Sequence, residues 1–381
     1  MRFVPSTVRA CSIAFVGFGV AAASLGPILP GVRHDLGVGD VGTGLAISAA
    51  GAGWGSGVLA SSRVSRVRGR RASFGAGTTL IAIGLALLAA APTGAVVIGA
   101  ALLFSFGGGL LTGAANSALA EADDGSLALA NGFFGVGAIA GPLIASALVG
   151  IGPGWRAAPA VAAGFCACTI PLARSLPAGR LPHSPERHGA RGLLRRRLYV
   201  LLVAVIAIDV AAEAGLVGWV ATYADEARGW PDWLAAAAPM AFWVGVTLSR
   251  FVAVRAQLEP WSLIPMTAIA GTASALLLVV PGAPAAIALI FLIGCGAGNV
   301  FPVVVATSAR NFPNDVDTGT AIMLGATGTL EMIVPLILGS AAALADTTAA
   351  GIVVVAATFG LATTAATIAT VSARRPQPVY T

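Results

Sequence analysis

Asp209 and Glu213 stand four residues apart in the stretch AIDVAAEAGLVGWV, inside an apolar run from about 198 to 221, and Glu331 stands alone in a second such run. At the spacing i and i+4 the first two share one face of a helix. A charged carboxylate near the middle of a bilayer costs about 2.5 to 3.5 kcal/mol on insertion scales, so each must be paired with a cation, hydrogen-bonded or protonated. Neighbouring carboxylates also repel, so their protons come off as one coupled titration. The chemistry open to such groups is the uptake and release of a proton or a bound cation. The alternative is a hydrogen bond to backbone or to Ser and Thr in a helix contact, and it applies most to Asp209, nearer the end of its run.

The elements that must position these groups are membrane helices. Of 381 residues, 57% are apolar and 10% charged, with a mean hydropathy of +0.89, where soluble domains carry roughly 25% charged residues. Runs separated by Gly, Pro, Arg or Asp clusters give twelve candidate spans, at about 10–31, 41–62, 73–92, 94–117, 127–150, 157–174, 198–221, 232–251, 260–281, 284–307, 318–343 and 348–371. Little chain is left for a soluble domain. The apolar run behind the N-terminal MRFVPSTVRA is long enough to be the first span rather than a signal peptide.

All 22 basic residues are arginine, and the net charge of +6 comes from loops. With both termini inside, 19 arginines fall on inner segments and three (Arg33, Arg156, Arg228) on outer ones. That asymmetry follows the positive-inside rule, so the charge speaks of membrane topology and not of nucleic acid. The expectation is a multi-pass protein of the cell's inner (plasma) membrane with cytoplasmic termini. Cys11, Cys166, Cys168 and Cys295 all lie in apolar segments and read as small apolar residues, not as disulfides or metal ligands.

The longest polar insert, RSLPAGRLPHSPERHGARGLLRRR at 174–197, divides six spans from six. It reads as a flexible cytoplasmic linker over 175–197, between an N-terminal bundle (1–174) and a C-terminal one (198–381). His183 and His188 within it read as solvated loop residues. The halves echo each other: Trp54 before GSGVLASSR matches Trp243 before VGVTLSR at an offset of 189, and GPLIAS at 141 matches VPLILGS at 334.

Same-orientation repeats of six spans resemble the major facilitator transporters. The join of spans 2 and 3, GVLASSRVSRVRGRR, resembles that family's signature loop, with Arg66 where an acidic residue is usual. Spans 4 and 5, TGAANSALAEADDGSLALANGFFGVGAIAGPLI, resemble the fucose permease-like branch, as does Glu213 followed by Trp219 and Tyr223 in span 7. Thr112 stands where sugar permeases of that branch can carry a glutamate. The resemblance implies an all-α fold of twelve transmembrane helices in two pseudo-symmetric six-helix bundles, alternating access, and a cavity among spans 1, 4, 7 and 10. There Thr112, Asn116, Asn299, Trp219 and Tyr223 are the candidate substrate contacts, with Asn131 of span 5 beside them. Each has a plainer reading: Asn can link helices, and Trp219 and Tyr223, near a helix end, can be interfacial anchors.

No arginine sits well inside any span, since Arg250 falls at the inner end of span 8. Glu213, Glu331 and Asp209 are therefore the candidate proton-coupling (or sodium-coupling) groups, and a neutral or cationic solute is favoured over an anion. The leading expectation is a monomeric, proton-coupled carrier of a small neutral polar solute, such as a sugar or related compound. The rival is a proton-antiport exporter of apolar or cationic compounds, which the GxxxGP of span 5 also resembles. An enzyme is disfavoured: no His/Asp or metal-ligand cluster, Walker loop or GxSxG elbow occurs at membrane depth, and no cofactor is implied.

Overall fold

The computed structural model describes residues 5–120, 124–177, 179, 190–253 and 258–373. His183, His188 and the rest of 180–189, with residue 178, lie outside the described residues. Twelve helical spans account for nearly all of what is described. In order they are span 1 Pro5–Leu36, span 2 Asp40–Arg68, span 3 Arg70–Ala89, span 4 Gly94–Ala120, span 5 Asp124–Gly150 and span 6 Ala157–Thr169, the last continued by a 3-10 turn at Ile170–Ser175. After a short helix, Ala190–Leu194, come span 7 Arg197–Thr222, ending in a π turn at Tyr223–Ala227, span 8 Asp232–Ala253 and span 9 Leu263–Leu277. Span 10 is broken into Ala283–Ala297 and Val300–Asn311, followed by span 11 Val316–Ala345 and span 12 Ala349–Ala373. Eleven of these helices are long and apolar enough to cross a membrane; span 2, rich in Gly and Ser, completes the set.

Helix is the structure these runs must take, because in hydrocarbon each backbone N–H and C=O needs a partner within its own segment. Thr and Ser inside the spans follow the same logic: Thr267, Ser274, Thr307 and Thr358 each return a hydroxyl to the carbonyl four residues back.

Packing repeats with an offset of six spans. In the first half span 1 packs on 5 and 6, span 2 on 4, and span 3 on 4 and 6; in the second, span 7 packs on 11 and 12, span 8 on 10, and span 9 on 10 and 12. Between halves, span 2 meets span 11, span 5 meets span 8, and span 1 meets span 7. Exchanging the halves maps this set onto itself, so a pseudo-twofold axis runs between two six-helix bundles.

Glycine makes the closest of these contacts possible. At Gly53 and Gly57 of span 2 an added Cβ would strike the carbonyls of Leu102 and Phe106 in span 4, and Gly245 of span 8 faces the Phe291 carbonyl in span 10 in the same way. A second seam joins the halves: a Cβ at Gly51 would fall 2.8 Å from the Cβ of Glu331, one at Gly44 2.6 Å from the Pro335 carbonyl, and one at Gly55 3.1 Å from the Cα of Gly328.

The two ends differ. The end carrying the three isolated arginines is closed. There Arg33 of span 1 reaches Glu226 beyond span 7 and Asp40 of span 2, while Ser146 of span 5 donates to the Trp233 carbonyl of span 8 at 2.7 Å. Arg156 donates to the carbonyls of Ala89 and Ala91 at the end of span 3. Arg228 does the same for Leu277 and Val280 at the end of span 9. At the other, arginine-rich end a cavity separates the halves, and Tyr199, Leu202, Val304 and Met323 form a core of their own, detached from the main one.

Candidate functional site

A cavity of about 3010 Å³ runs from the arginine-rich end to mid-depth between the halves. Glu213 reaches it from the middle of span 7 and Glu331 from the middle of span 11. The two charges lie within electrostatic reach of each other. Asp209 does not line the cavity: it is 0% exposed, one helical turn before Glu213. Neither of its oxygens has a hydrogen-bond partner among the described residues. The spacing i and i+4 thus produces one carboxyl on the cavity wall and one sealed behind it.

Of the residues singled out as substrate contacts, Thr112, Asn116, Asn131 and Asn299 line the cavity. Asn131 is exposed near the mouth and returns its Nδ2 to the Leu127 carbonyl at 2.9 Å. Asn299 sits at the break in span 10, opening the half-helix that begins at Val300. Trp219 and Tyr223 belong elsewhere. The Trp219 side chain is 0% exposed and its Nε1 donates to the Thr348 carbonyl at 2.9 Å. The Tyr223 hydroxyl donates to the Leu277 carbonyl at 3.1 Å, so both residues pack inside the second bundle instead of facing a solute. Helix rotation decides this, and a run that is apolar all round does not reveal it.

Arg250 is a second correction. It stands in the last turn of span 8, yet its side chain lines the cavity, its Nε donates to the Gly298 carbonyl at 2.9 Å, and its charge reaches Glu213. Arg63 and Arg66 line the mouth. The absence of cavity arginines, on which the disfavour of anions rested, therefore does not hold.

The sequence reading also passed over the aromatic wall. Phe18 of span 1 lies 5.6 Å from Phe134 of span 5, Phe134 lies 5.9 Å edge-on from Trp243 of span 8, and Trp243 lies 5.4 Å from Phe242. Trp54, the repeat partner of Trp243, lines the cavity as well. The 189-residue offset between the two tryptophans was the signal available, since positions related by an axis through a central cavity fall on opposite walls of it.

Two six-helix bundles about a mid-membrane cavity with buried carboxylates define a multi-pass membrane carrier. The chain belongs to the Major Facilitator Superfamily, whose family model matches residues 11–324. It is a transporter of that family. Among solved structures it is similar to a variant of the nucleoside transporter NupG, with a TM-score of 0.78, 14% identity, and 96% of this chain and 99% of that one covered. It is similar also to a bacterial homologue of the human lysosomal transporter Spinster in an inward-facing and occupied conformation (TM-score 0.73, 14% identity, 98% of each chain covered). The E. coli fucose:proton symporter FucP is a third (TM-score 0.64, 16% identity, 97% and 99% covered). No curated protein matches the chain in sequence.

Proposed function

We propose that this transporter moves a small neutral polar solute, bearing a hydroxylated ring, by proton-coupled alternating access. The observation that carries the reading is the pair Glu213 and Glu331, half-buried in the middle of spans 7 and 11 on the walls of one cavity. One or both take up a proton from one side and release it to the other. Asp209, one turn before Glu213, shares that titration. Arg250 is opposed by Glu213, so an anionic solute would have to displace a carboxylate from its field; a neutral one need not. Thr112, Asn116, Asn131 and Asn299 supply polar contacts to it. NupG and FucP, which share the fold, carry names that specify a nucleoside and fucose, and both kinds of solute contain a hydroxylated ring.

In this reading the arginine-rich end faces the cytoplasm of the inner membrane, both termini with it, and the halves at 1–174 and 198–381 rock about the cavity. The cavity then opens inward.

The test is proton movement by the purified protein in liposomes, with Glu213→Gln as control. An inward gradient of sugar or nucleoside should drive protons inward, and the variant should not. A second reading draws on the aromatic wall beside two carboxylates, which also suits export of an apolar cation by proton antiport. An inward cation gradient evoking proton efflux would establish it in place of the first.

A further inference from the structure

A second hollow lies at the arginine-rich end, outside the cavity. Val8, Ile13 and Val16 of span 1, Leu129 and Phe133 of span 5 and Phe165 of span 6 give apolar walls to a groove of about 740 Å³, and Arg9 lines it as well. No described residue of span 6 lines the cavity, so the groove opens on the outer side of the bundle, where the membrane lies. Leu129 and Phe133 line both hollows and so form part of the wall between them.

Two contacts between spans 1 and 6 fix the depth of the groove. The Thr7 hydroxyl donates to the Ser175 carbonyl at 2.7 Å, at the ends of both spans, and a Cβ at Gly17 would lie 3.1 Å from the Phe165 ring. Arg9 stands just inside the first rung and Val16 just below the second, about 10 Å deeper at 1.5 Å per residue. The groove therefore begins at a guanidinium near the membrane surface and descends between apolar side chains. Arg9 is exposed and has no hydrogen bond or ion pair with another described residue.

We propose that this groove is a docking site for an anionic phospholipid of the leaflet at the arginine-rich end, with its phosphate on Arg9 and one acyl chain along Ile13, Val16, Phe133 and Phe165. Charge complementarity names the occupant: basic pockets between membrane helices at the surface attract anionic headgroups, and a hollow facing hydrocarbon loses dispersion contacts unless a chain fills it. A zwitterionic lipid matches less well, because its own ammonium offsets its phosphate. The bound chain backs Leu129 and Phe133 from the membrane side and so steadies the part of the cavity wall that span 5 supplies. The site is independent of which solute is carried.

Photolabelling of the full carrier in phosphatidylcholine vesicles tests this, with trace phosphatidylglycerol bearing a diazirine in its acyl chain and peptide mapping of the adducts. Adducts should fall on the peptides that carry Ile13 and Val16, Phe133 and Phe165, and a phosphatidylcholine probe with the same chain should label them several-fold less. Arg9→Gln should lower labelling by phosphatidylglycerol about fivefold, while Arg9→Lys keeps it. Ile13→Trp, which fills the groove, should lower labelling by both probes. Equal labelling by the two probes, or full labelling of Arg9→Gln, would overturn the site. Adducts missing from these three spans would overturn it too, whether a second copy of the chain covers the groove or lipid passes it without selection. None of these results bears on proton coupling, so the carrier reading stands or falls separately.

Discussion

Arg33 grips both carboxylate oxygens of Glu226, Nε at 2.6 Å and Nη2 at 3.0 Å, across the line that divides the two halves. The same guanidinium holds Asp40 at 2.9 Å and donates to the Thr43 hydroxyl at 2.9 Å. One side chain of span 1 thus ties span 2 to the π turn that ends span 7. Fork-to-fork pairing of this kind is the stronger form of ion pair.

Removing that grip should loosen the closed end. We expect Arg33→Ala to shift the balance toward the state open at that end by about 1 kcal/mol, or roughly fivefold, given that the pair is partly solvated. Spin labels at the ends of spans 1 and 7 should report a larger population at long distance. An unchanged distance distribution would show that the latch contributes nothing.

The carboxylates of the cavity should separate coupling from movement. Glu213→Gln and Glu331→Gln keep size and polarity but cannot cycle a proton. Uphill, pH-driven uptake should therefore vanish in at least one of them, while exchange of labelled for unlabelled solute across the membrane persists. Full uphill uptake in both variants would remove these residues from the coupling step.

Asp209 behaves differently because it is sealed and has no hydrogen-bond partner among the described residues. Replacing a poorly satisfied buried polar group by an apolar one of similar volume is often neutral or stabilising. Asp209→Leu should melt at or above the wild-type temperature in detergent and transport poorly. A large fall in melting temperature would mean that Asp209 has a structural partner in the folded protein.

Gly51 admits the backbone of Glu331 to the seam between the halves. A leucine there would bring its Cβ within 2.8 Å of both the Cβ and the carbonyl oxygen of Glu331. Gly51→Leu should therefore disfavour closure at the arginine-poor end, and cysteines placed in the cavity should gain reactivity toward an impermeant reagent added from that side. Unaltered labelling would mean that the helices yield at no cost.

Arg156 and Arg228 cap the last carbonyls of spans 3 and 9, and each lies over an aromatic ring, Trp155 at 4.3 Å and Tyr223 at 5.9 Å. Hydrogen bonds from a charged donor contribute about 1.5–3 kcal/mol. Alanine at either position should lower the melting temperature while leaving proton-coupled uptake by the surviving folded protein unaltered, because neither residue lines the cavity. Loss of uptake without loss of stability would contradict that separation.

Much of this could be read from the chain. The twelve spans and the sorting of arginines to one end needed only apolar length and charge, which lipid enforces on every segment alike. Glu213 and Glu331 were legible because a carboxylate in such surroundings demands a reason. Trp219 and Tyr223 were misread because the end of span 7 that carries them is apolar on every face, and the partner of Trp219 lies 129 residues away at Thr348. Arg250 was misread for another reason. Its Cα is at the helix end, but a long side chain can run back along the wall, and the Gly298 carbonyl that receives it is left free because Pro302, four positions on, has no N–H.

The glycine seam between spans 2 and 11 bears on kinetics. Backbone rests there on backbone at Gly44, Gly51, Gly55, Gly328 and Gly339. Parting such surfaces obliges few side chains to leave one rotamer well for another, and re-forming them needs no teeth to be realigned. Little steric interlocking then enters the barrier at this contact. The tempo of the molecule passes to the groups that do hold on: the charges around Arg33 at one end, and the contents of the cavity at the other.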